Sequence, residues 1–312
     1  MKRFYLAPLL GLMTLVSMSF TSPAMAADEF VGYGVEDFNG PSDGECESSN
    51  LWWTIQQVNN FAKKFKTWSS WETVRTNSDQ AVDGRDFTDA SKDDFTGDGS
   101  CSCASYQASC SCKGKDDENV YGADHADVVV ISTHGSRNVS GANASLVMGD
   151  SSNDCKVSWK NNLYWDTDTD ILITEACHSA DYGVWGNSRS SDNKGFYAAI
   201  PADSQFRALL GYHGLSKDKA STWSAPSFVQ DSKYNDIVEN WITGMYASSW
   251  RSSGETREIC PTAIVFGESN SKIDSFADNG GFRDRKDTGS KTRSKYYYIG
   301  GCNPHGTTAL PD

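Results

Sequence analysis

The sequence has only one long apolar run, and it lies at the very start. Phe4 to Phe20 carries no charge, follows Lys2 and Arg3, and is followed by Ala24-Met25-Ala26. That order is basic start, apolar core, small-residue cleavage site. It predicts a secretory signal over residues 1–26, with Ala26 the last residue removed. Pro8, Ser17 and Ser19 interrupt the run and argue against a retained anchor. No later segment approaches the roughly 20 apolar residues that a bilayer-spanning helix needs. The expectation is a soluble exported protein, secreted or periplasmic, with no membrane partner once the signal is cleaved.

Clusters of basic residues are also missing. The full chain carries a net charge of −13, and loss of Lys2 and Arg3 with the signal takes it to −15. The nearest approach to a basic patch is the scattered RDRKDTGSKTRSK near the end. Nucleic acid and anionic membranes recruit clustered Lys and Arg, so neither is an expected partner. No internal repeat and no heptad pattern is present. The cysteines lack the C-x2-C spacing of common zinc sites: Cys101, Cys103, Cys110 and Cys112 give C-x-C-x6-C-x-C. In an oxidising compartment such cysteines more often pair with each other. DTDTD (166–170) begins like a calcium loop, but it has no glycine at the sixth position and Cys177 at the twelfth. The acids at 83–98 are a weak candidate for structural calcium, and solvation accounts for them equally well. No cofactor is expected, and the oligomeric state is left open.

An even number of cysteines is missing too. The chain has nine, so complete pairing leaves one over. Eight of them (Cys46, Cys101, Cys103, Cys110, Cys112, Cys155, Cys260 and Cys302) are expected to be oxidised, with bridges within 101–112. The ninth, Cys177, sits in ILITEACHSAD (171–181), where an apolar run meets an acid, a thiol and an imidazole.

What is present is alternation. FVGYGVEDF (30–38) reads as a strand. Leu51, Ile55, Val58, Phe61 and Phe65 then recur at helical spacing, with a cap expected among Ser48, Ser49 and Asn50. Residues 67–122 are polar, Asp- and Gly-rich, and read as a Cys-rich insertion without a core of its own. ADVVVISTHG (126–135), DILITEACHS (170–179), QFRALLGYHG (205–214) and TAIVFGE (262–268) are short apolar runs bounded by polar residues. Such runs suit strands buried on both faces of a parallel sheet. Ile237, Val238, Trp241, Ile242 and Met245 mark a helix between the last two, and KYYYIGG (295–301) a final strand. The reading is an α/β fold with a mainly parallel sheet, a three-layer sandwich, forming one domain over 27–312. The runs near 127–132, 171–176 and 207–212 should be neighbours.

Binding and reacting groups collect at the carboxyl ends of parallel strands. Two of these runs end in His134-Gly135 and in Cys177. An imidazole beside a thiol is the minimum for a cysteine nucleophile, because a free thiol is mostly protonated at neutral pH. A helix starting after Cys177 would favour the thiolate further. The bland readings stay open. They take His134 as a hydrogen-bonded strand-end histidine and Cys177 as an inert buried thiol, and His213 is a rival to His134.

ISTHG, followed 43 residues from its histidine by the cysteine of ITEACHS, resembles the motifs of the caspase-like cysteine peptidases. Glu-Ala-Cys is similar to the legumain form, and the chain also resembles an uncharacterised family of exported bacterial proteins. The resemblance implies a caspase-like fold and a cysteine endopeptidase acting on a peptide or protein substrate. Cys177 would be the nucleophile and His134 the acid/base, with the N–H groups of Gly135 and Cys177 as oxyanion donors. Glu175, Tyr212 and His213 would border the specificity pocket. His178 departs from the pattern, since caspases have Arg and legumains Glu after the nucleophile. The alternatives are an inactive binding module of the same fold, or a disulfide-rich secreted structural protein.

Overall fold

The computed structural model describes residues 28–35, 38–40, 44–45, 51–76, 126–138, 143–147, 156–158, 169–182, 200, 204–217, 224–252 and 255–312. The signal-like start, the acids at 83–98 and six of the nine cysteines, including all four of 101–112, lie outside the described residues.

The described chain is a mixed α/β structure. Its strands are β1 (Asp28–Gly34), β2 (Asn39–Gly40), β3 (Gly44–Glu45), β4 (Trp71–Thr76), β5 (Val128–Ser132), β6 (Gly135–Asn138), β7 (Asn143–Val147), β8 (Lys156–Ser158), β9 (Ile171–Glu175), β10 (Ala208–His213), β11 (Ala247–Ser252), β12 (Glu255–Gly267) and β13 (Arg293–Tyr297). Its helices are α1 (Thr54–Phe65), α2 (Ala225–Asp231), α3 (Ile237–Met245) and α4 (Asn270–Asn279). One eight-stranded sheet runs β4-β1-β5-β9-β10-β12, with β11 and β13 both paired to β12. The pairs from β4 through β10 are parallel, and every pair made by β12 is antiparallel. The three runs expected to be neighbours are indeed adjacent and parallel. TAIVFGE, read as one more parallel strand, lies instead within the long antiparallel β12.

Both sheet faces are apolar, which is why these strands read as continuous hydrophobic runs. One face (Phe30, Val128, Val130, Ile171, Ile173, Leu210) packs against all four helices. In α3 every residue of the expected apolar stripe is buried. Trp241 closes that layer, its indole N–H donating to the Gly211 and Thr262 carbonyls of β10 and β12. The other face (Val129, Ile131, Leu172, Leu209) is covered, among the described residues, by Phe38, Phe206 and the β7 side chains Ala144, Leu146 and Val147. No described helix is long and apolar enough to cross a membrane.

Two local expectations change. The polar insertion begins later than residue 67, because Trp71–Thr76 forms the outer strand β4, parallel to β1. Its Trp71 packs on Phe65 of α1, as does Trp68 just before it. Helix α1 starts at Thr54, with Trp53 at its N-cap, beyond Ser48 to Asn50. Its first turn is tied down by the Thr54 hydroxyl, which donates to the Val35 carbonyl at 2.9 Å.

The amino edge of the sheet is closed by charge. Arg285, almost fully buried, reaches Asp28, Asp127 and Asp170 at 2.6, 3.0 and 3.1 Å and lies over the Trp71 ring. Burial pushes the Asp170 carboxyl up to about 8; Arg285 opposes that rise and neighbouring Asp127 adds to it. His134 and Cys177 follow the carboxyl ends of β5 and β9, on the opposite edge.

Candidate functional site

The register of β5 and β9 sets the site. Ser132 and Glu175 are paired across the two strands, and the Thr133 amide donates to the Glu175 carbonyl. Two residues further along each chain stand His134 and Cys177. Parallel strands in register therefore deliver the imidazole and the thiol to neighbouring positions on the carboxyl edge. Contact between the two chains is tight at the next residue. A Cβ on Gly135 would fall onto the Cys177 carbonyl oxygen and within 2.9 Å of its backbone nitrogen, so only glycine fits.

His134 is held by β7 and by Phe38. Its carbonyl accepts the Val147 amide at 2.9 Å, and the Thr133 hydroxyl donates back to the Val147 carbonyl. Its ring lies against Phe38, with centroids 4.7 Å apart. β7 and Phe38 thus position the imidazole, and neither carries a local sequence signal for that task.

Cys177 is the one free thiol among the described cysteines, and it is half-buried. Cys260 and Cys302 form a disulfide with Cα atoms 6.0 Å apart, so these two of the eight cysteines expected to pair do so, although not within 101–112. The Cys177 sulfur lies 3.7 Å from the Ser216 carbonyl oxygen and 3.8 Å from the Ser216 hydroxyl. Burial pushes the thiol up, and the Ser216 contacts offset part of that rise. The helix expected after Cys177 does not form within the described residues, which run to Tyr182. His178 adopts a left-handed backbone with φ of 58°. The next residues bond to β10 instead: the His178 amide to the Gly214 carbonyl and the Ala180 amide to the Tyr212 carbonyl. These bonds turn the chain across the edge of the sheet, and no helix N-terminus follows Cys177 among the described residues. The resting group is a protonated thiol.

Glu175 and Tyr212 meet each other. The buried tyrosine hydroxyl donates to Glu175 Oε2 at 2.8 Å, with Tyr212 packed on Trp241. Both side chains lie beneath the edge, in the layer covered by α3. His213 is more heavily engaged. Its Nε2 donates to the Thr308 carbonyl at 2.9 Å, and its Nδ1 faces the Tyr182 amide at 3.1 Å and Asp181 Oδ1 at 3.2 Å.

The sequence reading missed Asp181. Its side chain is wholly buried and receives His178 Nδ1 at 2.8 Å, Arg137 at 3.2 Å and the Gly214 amide at 2.7 Å. Burial alone would raise this carboxyl, but the hydrogen bonds from His178 and His213 outweigh it and hold it well below the usual carboxylate range. The signal was available as H-x-x-D, residues 178 to 181, a spacing that brings the two side chains together across a tight turn. Ser216 carries no such signal, because only the return of the chain after β10 brings it to the sulfur.

Glu258, Cys260 and Cys302 cluster closely enough to suggest a metal site, but the two sulfurs are bonded to each other and are not ligands. Asp170, the last acid of DTDTD, is paired with Arg285 on the far edge. No known protein family matches the chain, and no curated protein is similar to it.

Proposed function

We propose that the protein is an exported cysteine peptidase in which Cys177 attacks a peptide carbonyl and His134 transfers the proton. The observation that carries this reading is the register of β5 and β9, which brings the two residues to adjacent strand ends with Gly135 packed on the Cys177 backbone. The backbone N–H groups of Gly135 and Cys177 are neighbours there and would serve the oxyanion. In the course proposed, the thiol proton passes to His134 as sulfur bonds to the carbonyl carbon. His134 then protonates the leaving amine as the C–N bond breaks. Water hydrolyses the resulting thioester, returning the proton to sulfur. Glu175 and Tyr212, hydrogen-bonded beneath the edge, brace the floor of the specificity pocket. The fold in this reading is a caspase-like three-layer sandwich.

One observation favours a second reading. A thiol raised by burial, with no helix N-terminus behind it, suits an inactive module that binds peptides without cleaving them. An electrophilic peptidyl probe separates the two. The peptidase reading expects covalent labelling at Cys177, reduced at least about 100-fold in His134→Ala and much less in His213→Ala. Equal labelling of wild type and His134→Ala, or no labelling of folded wild type, would remove His134 from the chemistry and leave the binding module.

A further inference from the structure

Residues 303–308 cross the carboxyl edge of the sheet beside His178 and Leu215, the chain neighbours of Cys177 and Ser216, and the contacts of residues 306–308 converge on one buried carboxylate. The segment follows Cys302, which the bridge ties to Cys260 of β12, and Cys260 is the strand partner of His213. The Leu215 amide donates to the His305 carbonyl at 2.9 Å. Gly306 lies on His178: a Cβ there would meet Nε2 at 3.2 Å. Arg137 donates to the Gly306 carbonyl and, at 2.6 Å, to the Thr307 hydroxyl. His213 donates to the Thr308 carbonyl. Arg257 and Glu258 hold the start of the segment at Asn303; over residues 306–308 the side chains that meet it are His178, Arg137 and His213, and these three surround Asp181.

The chemistry of that carboxylate is specific. Two oxygens offer about four acceptor sites, and four donors or near-donors occupy the shell: His178, Arg137, His213 and the Gly214 amide. His178 Nδ1 must carry its proton, since a carboxylate only accepts. Its Nε2 is thereby fixed toward Gly306. His213 Nδ1 stands between opposite demands, a lone pair for the Tyr182 amide and a proton for Asp181. Its Nε2 donates to Thr308 in either state. A buried anion thus sets the orientation of two imidazoles and a guanidinium, and these in turn meet residues 306–308, beyond the buried Pro304 that packs on Gly214.

We propose that Asp181 is a positioning residue that, with the Cys260–Cys302 bridge, locks residues 303–308 as a fixed wall of the Cys177 site. Its effect is on which groups reach the thiol. The functional meaning rests on the reading of Cys177 as the reacting residue; the structural claim does not. Asp181→Asn keeps the volume but places an amide N–H₂ against an existing donor. The test compares hydrogen exchange of peptides covering 303–308 with that of peptides from β5, β9 and α3. It adds the rates at which iodoacetamide and a bulky maleimide modify Cys177, read by peptide mass spectrometry. Exchange over 303–308 should accelerate at least about tenfold in the variant while the core peptides hold. The ratio of bulky to small reagent rates should rise several-fold. Equal acceleration in segment and core, or unchanged exchange over 303–308 in a folded variant, overturns the proposal. If Asp181→Asn does not fold, Arg137→Gln decides by the same readings, since it removes one link to the segment and leaves the carboxylate three donors. Both readings are blind to turnover, so failure of the peptidase assignment and failure of the wall give different results.

Discussion

Cys177 and Gly135 are each constrained by a single close neighbour, and each constraint has a measurable outcome. Burial raises the Cys177 thiol, so its resting state is protonated. Alkylation by iodoacetamide followed against pH should show a midpoint above that of free cysteine in the unliganded protein. A midpoint below the free-cysteine value would mean that a positive partner activates the thiol in advance. Gly135 has no room for a methyl group against the Cys177 backbone. Gly135→Ala should cost about 3 kcal/mol, the upper end of the overpacking range, and should separate the two strand ends. Urea denaturation gives the first quantity, and loss of peptidyl-probe labelling at Cys177 in the folded fraction gives the second. A stable Gly135→Ala protein that labels normally would contradict the tight register.

Among the elements, the central strands were legible and the edges were not. β5, β9 and β10 are buried on both faces, so each appears as an unbroken apolar run with a polar end, and their shared direction put His134 and Cys177 on one edge. Strand β4 was hidden in a polar stretch because an outer strand needs few apolar residues. The antiparallel sense of β12 leaves no trace in its own composition, since a strand buried on both faces reads the same in either direction. The missing helix after Cys177 is a case of tertiary hydrogen bonds to β10 replacing local helical ones. Helix α3 was legible in full, because five apolar residues at helical spacing face a flat apolar sheet. Within it Trp241 joins two strands through one N–H. Trp241→Ala should cost about 3–5 kcal/mol, visible as a large drop in the denaturation midpoint. Trp241→Phe should recover most of the packing and leave the two carbonyls unbonded by the ring. A loss below about 1 kcal/mol for the alanine variant would mean the layer repacks around the gap.

At the scale of the whole molecule, the two edges of the sheet carry opposite responses to pH. At the amino edge Asp170 is raised from 3.8 to about 8, so the folded state holds a proton that the unfolded chain releases. Its contribution to stability is complete below about pH 4 and is lost as pH rises through 8. At the carboxyl edge Asp181 is held low, so its contribution is present above about pH 4 and disappears in acid. Stability should therefore peak in mildly acidic solution. Asp170→Asn should flatten the decline between pH 5 and 9, by an amount on the order of a few kcal/mol. Urea midpoints taken across that range test it, and an unchanged slope in the variant would show that Arg285 keeps Asp170 ionised. Arg285 also joins Asp28 across 257 positions of sequence. A ribosome adding about 5 to 20 residues per second needs roughly 13 to 50 seconds to cover that interval. Until then three carboxylates at one rim of the sheet stand without their guanidinium. Synthesis order therefore makes closure of that rim one of the last steps in assembly, and a nascent chain cut short of residue 285 would carry Cys177 and His134 on a sheet whose base is still open.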